Sequence, residues 1–533
     1  MEKKDPVRRL VVYTLLPIFI ILLLFYKHQD SFSSYYSEHL DNGGQQGFRG
    51  RKEKDGIFPL EEAESSKLHL KLRRLVRAFD FDLDDDDKDD DDDDDDDDEE
   101  FTFELIYLFR NDLAEFEATG FVCDVNEFTE VCVIDKPVIF DKQSLTLYVP
   151  CDDQDRPTKR MVKPYPRRED PGAMDIVAPV QIVRGKVSVI NPPPCEKMHG
   201  VPALLFSYAG FLENPFHAFN EVIIPLFLTS RHFESQVQFV FTEYRDQWAR
   251  KYGEVVKQLS SFEPVVADGN GTVHCFPAAT VGLREPKTNV NPLNPALTQN
   301  VPSARLIMPN EVVHMNPRRY HDNLAVNSSE VPEGYTMATV REFLWNIFNV
   351  TVKTKLNLQK PKVLLISRKG SRMFLNEDEM VKMMEQELGF EVHRALPNDT
   401  MSLDKFAQIV NSCEIMVGAH GAGLTNALFL PTSAVLIQVV PLGLNWASDH
   451  YFGKPAPGIG LNYLRYKVLR NETSLYETYG PENPIVSDPA AIWAKGYAAV
   501  KEAYVDGQNF RINLARFKGT LLEAVQLLGQ SAS

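Results

Sequence analysis

Val417-Gly418-Ala419-His420-Gly421-Ala422-Gly423-Leu424-Thr425-Asn426 is the stretch that decides the fold. Glu414–Val417 is an apolar run of buried-strand length, the glycines make a turn, Leu424–Leu430 continues as a helix, and Ala434–Val440 is another apolar strand. Upstream, Val363–Ile366 reads as a strand, Glu377–Leu388 as an amphipathic helix, Phe390–His393 as a strand and Leu403–Asn411 as a helix. Strands and helices alternating at this spacing predict a parallel sheet with helical crossovers. Such sheets bind ligands at the carboxyl ends of their strands. Glycine lets the backbone approach a phosphate closely, and a helix that starts there offers free N–H groups and the positive end of its dipole. His420 lies inside this turn. Arg368 follows the Val363–Ile366 strand almost directly, with Lys369 and Arg372 close behind. Guanidinium donors form a rigid fork suited to phosphate. A basic turn and a glycine turn on one sheet therefore predict a shared ligand, a nucleotide diphosphate.

Further toward the amino terminus, Val201–Phe206 and Val237–Phe241 read as strands, and Phe216–Thr229 between them has helical apolar spacing. His217 and Glu221 are four residues apart and share one helix face. An acid–imidazole pair near the carboxyl edge of a sheet can accept a proton; the same spacing also describes a surface ion pair.

Several segments together resemble the family 61 glycosyltransferases. They are Lys362–Arg368, Gly418–Asn426 with Phe429-Leu430-Pro431, Phe216–Glu221 with Ile224–Phe227, and Trp446–His450 with Gly460–Tyr463. The likeness runs from roughly Pro202 to Leu528 and is nearest to the plant members, which include xylan arabinosyl- and xylosyltransferases. The xylosyltransferase of plant N-glycans and the enzymes adding N-acetylglucosamine to protein O-glycans are more distant. The resemblance implies an α/β, GT-B-like fold of two Rossmann-type domains, an inverting mechanism and a nucleotide bound by the second domain. The first, acceptor-side domain is placed at 105–355. The nucleotide-sugar-binding domain is placed at 356–533, its final helix packing back on the first. Glu221 is assigned as the base, with His217 as its orienter or as the alternative base. Family members carry aspartate where Glu221 stands, and plant members often carry it where Ala218 stands, so the carboxylate is kept one methylene longer. Arg368 and Arg372 with Gly421, Ala422 and Gly423 would hold the diphosphate. His420, Thr425 and Asn426 would line the nucleotide or sugar, and Arg284 is either a further contact or a surface ion-pair member.

Outside the acidic tail the DxD pattern is Asp153-Gln154-Asp155, in a polar, loop-like stretch. Arginine and backbone donors can stabilise the leaving group without a divalent ion, so no strict metal requirement and no metal ligand is expected.

The amino terminus is read as a cytosolic tail (1–9), a signal-anchor (10–26) and a stem (27–104). The 17 residues Leu10–Tyr26 are uncharged and largely apolar, at the short end for a span. Lys3, Lys4, Arg8 and Arg9 precede them, which leaves the tail in the cytosol and the rest in the lumen. A cleaved signal peptide is the rival reading, but no small-residue cleavage site follows Tyr26. In the stem, Lys67–Arg77 is a short basic amphipathic stretch read as helical. It leads into Asp84–Glu100, where sixteen acidic residues and one lysine contribute a net −15 of the chain's formal −18. Such a block repels itself, and it is read as a solvating spacer, with loose cation binding as the functional rival. The 533 residues leave room for two ordinary domains. Six cysteines in a lumenal setting predict disulfides whose pairing the sequence does not choose. Sequons at Asn270, Asn327, Asn349, Asn398 and Asn471 fit a secretory glycoprotein.

The first functional expectation is transfer of xylose or arabinose from a UDP-sugar to a cell-wall polysaccharide such as xylan, in the Golgi membrane. The second is action on N-glycans or secreted proteins with UDP-N-acetylglucosamine or UDP-xylose. The third is a non-enzymatic lumenal scaffold whose acidic stem binds ions. Donor, glycan acceptor, membrane and other Golgi glycosyltransferases are the expected partners. Scattered basic residues argue against nucleic acid.

Overall fold

Five parallel strands carry the glycine-rich turn: Glu391–Ala395, Lys362–Ile366, Ile415–Ala419, Val435–Val440 and Asn462–Lys467, in that spatial order. The chain enters at the second of these, goes outward to one edge, then crosses back and fills the other side. The reversal lies between Lys362–Ile366 and Ile415–Ala419, where Ile366 pairs with Gly418. A crevice opens at the carboxyl ends of the strands beside such a switch point, and Arg368 and His420 follow those two strands. The three central strands, Lys362–Ile366, Ile415–Ala419 and Val435–Val440, are almost wholly apolar and buried because both faces are covered, while the edge strands Glu391–Ala395 and Asn462–Lys467 are polar and partly exposed. Val363, Leu365, Val417 and Val435 share a core with Phe517, Leu521 and Leu528 of the final helix, Leu514–Ser531. Leu364, Met416 and Leu436 face a second core. The final helix thus buries its apolar face on its own sheet, where packing on the first half was expected.

The first half is built differently from its neighbour. Ala279–Val281, Ala203–Phe206, Gln238–Phe241 and Val265–Val266 run parallel, and Glu130–Ile134 and Phe121–Val125 extend the sheet antiparallel. The segment Pro215–Ser230 and the helix Asp246–Leu259 make two of the crossovers and cover one face. A second six-stranded sheet covers the other, formed by Thr158–Val162, Val180–Gly185, Thr146–Pro150, Val138–Asp141, Val273–Phe276 and Lys197–Met198. Its Phe140, Leu147, Val149 and Ile182 meet Ile134, Leu205, Val240 and Val281. The molecule is a mixed α/β protein with several sheets, and sheet-on-sheet packing stands where a two-Rossmann reading expects a second helical layer.

One core continues from Phe206 and Phe219 through Phe348 to Leu364, Met416 and Phe429. The helix Met337–Ile347 joins the halves within it. Buried Arg341 donates to the carbonyls of Leu428, Leu430 and Ile459, and Trp345 Nε1 donates to Leu428 O at 3.0 Å. Two of those carbonyls close the 3₁₀-helical segment Ala422–Phe429, an end that favours a cation. Burial lowers the Arg341 guanidinium to about 10, so it stays charged near neutral pH.

This computed structural model describes residues 62–77, 113–126, 128–152, 156–267, 271–284, 305–308, 311–314, 324–326, 334–350, 360–396 and 402–531. All belong to one contact unit, Phe58–Ser533. The tail, the anchor at 10–26, the acidic run at 84–100, Asp153-Gln154-Asp155 and the sequons at Asn270, Asn327 and Asn398 lie outside the described residues. Asn349 and Asn471 are exposed. No described helix is long and apolar enough to cross a membrane. Described disulfides join Cys123 to Cys132 and Cys195 to Cys275, while Cys151 and Cys413 are buried thiols.

The basic stretch at Lys67–Arg77 is helical, and its helix begins earlier, at Glu62. Part of the region read as stem therefore belongs to the folded unit. Leu72 is fully buried in the main core, His69 pairs with Asp135 and stacks on Phe116, and Lys71 Nζ lies 3.0 Å from Glu234. Leu72→Ala should lower stability in denaturant titrations by about 2–4 kcal/mol, whereas Leu70→Ala, at an exposed position of the same helix, should change it by less than about 0.5 kcal/mol. Equal effects would show that the helix does not dock through Leu72.

Candidate active site

A cavity of about 1000 Å³ lies between the two halves, lined by His217 and Phe216 on one side and by Arg368, Arg372, His420 and Gly421 on the other. It is open at the switch point of the parallel sheet, where the residue pattern placed an anion.

The first wall is the helical segment Pro215–Ser230, whose residues Ala218–Ser230 are all buried. Asn214 caps it by accepting from Phe216 N at 3.0 Å, with Pro215 at the first helical position. Over Ala218–Ile223 the segment widens into a π-helical turn, and Ile224 N donates five residues back to Phe219 O. Pro225 supplies the cause: it has no N–H for the Glu221 carbonyl and its ring would clash there in a regular helix. Glu221 is 2% exposed. Its carboxylate accepts from the Tyr165 hydroxyl, Arg167 Nη1 and His217 Nδ1. Burial, with the Glu221 charge beside it, pushes the Tyr165 phenol well above its usual range, so it keeps the proton it donates. Arg167 also stands 3.5 Å from Asp170 and lies over the Phe211 ring. With Nδ1 of His217 donating to a carboxylate, the lone pair sits on Nε2, and the ring lines the cavity. His217 thus faces the cavity while Glu221 stays behind it, although the sequence reading had put Glu221 in the proton-accepting role.

The second wall is cationic. Arg368 Nε donates to Ser371 O at 3.0 Å, and Arg372 Nη1 donates to His420 O at 2.7 Å. Arg372 adopts a left-handed backbone (φ 55°), held by its N–H donating to Gln508 O at 2.6 Å. Burial lowers both guanidinium pKa values, Arg372 to about 10 with the Arg368 charge adding to it; both stay protonated. Among the described residues neither forms an ion pair with a carboxylate, although the Asp506 charge favours the protonated Arg372, and Arg372 Nε is buried without a hydrogen-bond partner. The two converge on Gly421 (φ 149°), where an added Cβ would lie 2.6 Å from Arg368 Nη1 and 3.1 Å from Arg372 Nη1. His420 is 7% exposed, and burial, then Arg372 and Arg368, lower its imidazole to about 3, so it is neutral. Two guanidinium groups converging on a glycine turn have the charge and donor geometry that suit an oxyanion.

The structure does not bring every expected residue to the cavity. Ala422 lines it, but Gly423, Thr425 and Asn426 do not. Gly423 serves packing: a Cβ there would lie 2.9 Å from Ile366 Cγ2. Thr425 is fully buried, and Asn426 Nδ2 donates to Gly423 O at 2.9 Å, holding the turn. The helix expected after the turn is a 3₁₀ segment starting at Ala422. Arg284 is buried and lies off the cavity, with its N–H donating to Thr229 Oγ1. Sequence reasoning missed Tyr165 and Arg167, which come from a loop with no motif, and it missed the aromatic wall. Tyr451 stacks on Phe216 across the two halves at 5.2 Å, and Trp446 stacks on His450 at 4.9 Å. Their clustering within one short run was the signal that could have found them. No group of three or more potential metal ligands occurs among the described residues.

A family model described as Glycosyltransferase 61 matches residues 216–437, which span His217, both arginines and the glycine turn. Xylan glycosyltransferase MUCI21 of Arabidopsis thaliana is 35% identical over 402 residues, 72% of this chain and 74% of that protein. Alpha-1,3-arabinosyltransferase XAT3 of Oryza sativa subsp. japonica is 33% identical over 415 residues, 76% of this chain and 65% of its own, a little under two thirds. Beta-1,2-xylosyltransferase XYXT1 of the same species is 33% identical over 379 residues, 70% of this chain and 73% of its own.

The two glycines separate binding from packing. Gly421→Ala should weaken binding of a nucleoside diphosphate by about tenfold or more through displaced guanidinium groups, read by calorimetry. Gly423→Ala should instead cost about 1–3 kcal/mol of stability and leave the affinity of the folded fraction within about twofold. The reverse pattern would remove the diphosphate seat from Gly421.

Proposed function

Because this chain belongs to glycosyltransferase family 61 and is a glycosyltransferase, we propose that it transfers a pentose, xylose or arabinose, from a UDP-sugar to cell-wall xylan. The observation that carries the donor half is the pair of arginines that converge on Gly421 without an ion-paired carboxylate among the described residues. The pentose and the xylan acceptor rest on the relatives, named as a xylan glycosyltransferase, an arabinosyltransferase and a xylosyltransferase.

In this reading the acceptor hydroxyl lies at His217 and the sugar between it and the arginines. His217 Nε2 takes the hydroxyl proton, and the Nδ1–H bond to Glu221 stabilises the imidazolium that forms. The acceptor oxygen attacks the anomeric carbon from the face opposite the diphosphate, and configuration inverts. The bond to the leaving oxygen breaks with its electron pair going to UDP, whose growing charge Arg368 and Arg372 take up. The base role therefore passes from Glu221 to His217, because a carboxylate buried under three donors does not reach a substrate. The cleft between two halves, with the switch point on the second, supports a GT-B-like arrangement. The basic residues before an apolar run at 10–26 support a type II Golgi membrane topology, with the catalytic unit in the lumen. No divalent ion is needed in this scheme.

The test is donor profiling of the full chain with UDP-sugars and xylan oligosaccharides. One UDP-pentose should be turned over. His217→Ala should lower kcat by about 10²–10⁴-fold while donor affinity stays within about threefold. Arg368→Ala should weaken UDP binding itself. EDTA should leave activity unchanged. Preference for UDP-N-acetylglucosamine would redirect the assignment to glycoprotein glycans, and failure of well-folded protein to bind UDP would end it.

A further inference from the structure

We propose that Gln438 and Tyr463 are positioning residues that hold His420 as an Nε2–H hydrogen-bond donor facing the cavity, where it serves the diphosphate of the donor. The ligand half of this inference rests on the reading just given.

Gln438 stands in the strand Val435–Val440, flanked by Val435, Leu436, Ile437, Val439 and Val440, and is fully buried. An amide in such a place is costly unless both ends are bonded. Both are: Tyr463 donates to Oε1 at 2.8 Å, and Nε2 lies 2.9 Å from His420 Nδ1. Tyr463 comes from the neighbouring strand Asn462–Lys467, and its burial raises the phenol pKa, so it enters as a donor. The direction of each bond then follows. Tyr463 O–H donates to Oε1, which points the amide N–H at His420. Nδ1 must accept, so the ring proton sits on Nε2, the nitrogen left for the cavity that His420 lines.

That tautomer suits the place. The titratable or charged groups facing His420 are Arg368 and Arg372 from the loop after Lys362–Ile366, Tyr463 beyond Gln438, and Tyr451, whose ring is 5.9 Å away. A third positive charge beside two buried guanidinium groups would be strongly disfavoured. A neutral N–H donor adds a hydrogen bond to an anion without adding charge. An acceptor nitrogen in the same place would meet a phosphate oxygen lone pair to lone pair. The two cavity histidines thus carry opposite tautomers, each set by its inner partner: a carboxylate makes His217 an acceptor at Nε2, and an amide makes His420 a donor there.

The experiment uses the full chain with ¹⁵N-labelled histidine, its His420 signals assigned by comparison with His420→Ala, and UDP as the binding probe. In the wild type, His420 should show the Nε2–H shift pattern without UDP, unchanged between about pH 5 and 8. Gln438→Glu places an acceptor opposite Nδ1. It should switch the pattern to Nδ1–H and weaken UDP binding at neutral pH by about tenfold or more. Tyr463→Phe removes only the group that orients the amide; it should give a mixed pattern and a smaller loss, about two- to fivefold, and it still tests the relay if the glutamate variant fails to fold. An Nδ1–H pattern in the wild type, an unswitched pattern in Gln438→Glu, or UDP affinity unchanged in both variants overturns the inference. If the wild type binds no UDP, the donor reading falls, and the nitrogen pattern still decides whether the relay sets the tautomer.

Discussion

Two guanidinium groups meet over one glycine with no ion-paired carboxylate among the described residues, and much of this molecule serves that arrangement. Like charges at close quarters and out of bulk water are held only if the backbone holds them. Here Arg372 is locked through Gln508, whose side chain donates to the carbonyls of Leu442 and Tyr504 and accepts from Thr473. Arg368 is tied to its own loop, and both loops are fixed by the parallel sheet beneath them. Burial, with the two guanidinium charges adding to it, keeps the adjoining His420 imidazole neutral.

The opposite wall solves a different electrostatic problem. A buried carboxylate is tolerated because it is saturated: Tyr165, Arg167 and His217 all donate to Glu221. Removing any one of them would leave an under-solvated charge. Local backbone irregularity is concentrated around the same cavity. π-helical turns at Ala218–Ile223, Asp449–Gly453 and Lys501–Asp506 each contribute or adjoin lining residues: His217, Tyr451 with Phe452, and Lys501 with Val505. Such turns re-aim side chains within an otherwise regular helix and recur at functional sites. For the first of them the cause is a single residue, Pro225.

Legibility in the sequence tracked the range of the physics involved. Most of the parallel sheet was readable because its central strands are short apolar runs and its first two crossovers are amphipathic helices, patterns complete within ten or twenty residues; the polar edge strand Asn462–Lys467 was not read. The second sheet of the first half was not readable. Its strands are four to six residues long or shorter, several are partly exposed, and Val273–Phe276 joins them from more than a hundred residues away from Val138–Asp141. Within the glycine motif the residue types were legible but their duties were not. Gly421 and Gly423 look alike in sequence, yet one admits two guanidinium groups and the other admits Ile366. Thr425 and Asn426 stand in the motif and face inward.

The sequence alone determined a parallel sheet, the basic and glycine turns at its carboxyl edge, and the family likeness, because local periodicity and turn chemistry act between near neighbours. Only the tertiary structure decided what each polar group does. Tyr165 and Arg167 reach Glu221 across more than fifty residues, Gln438 reaches His420 from the next strand, and Leu72 reaches the core from the region read as stem. A side chain's hydrogen-bond partners set its charge, tautomer and direction, and those partners are chosen by packing between distant segments. For that reason His217 and His420, the same residue type in one cavity, present a lone pair and a proton respectively.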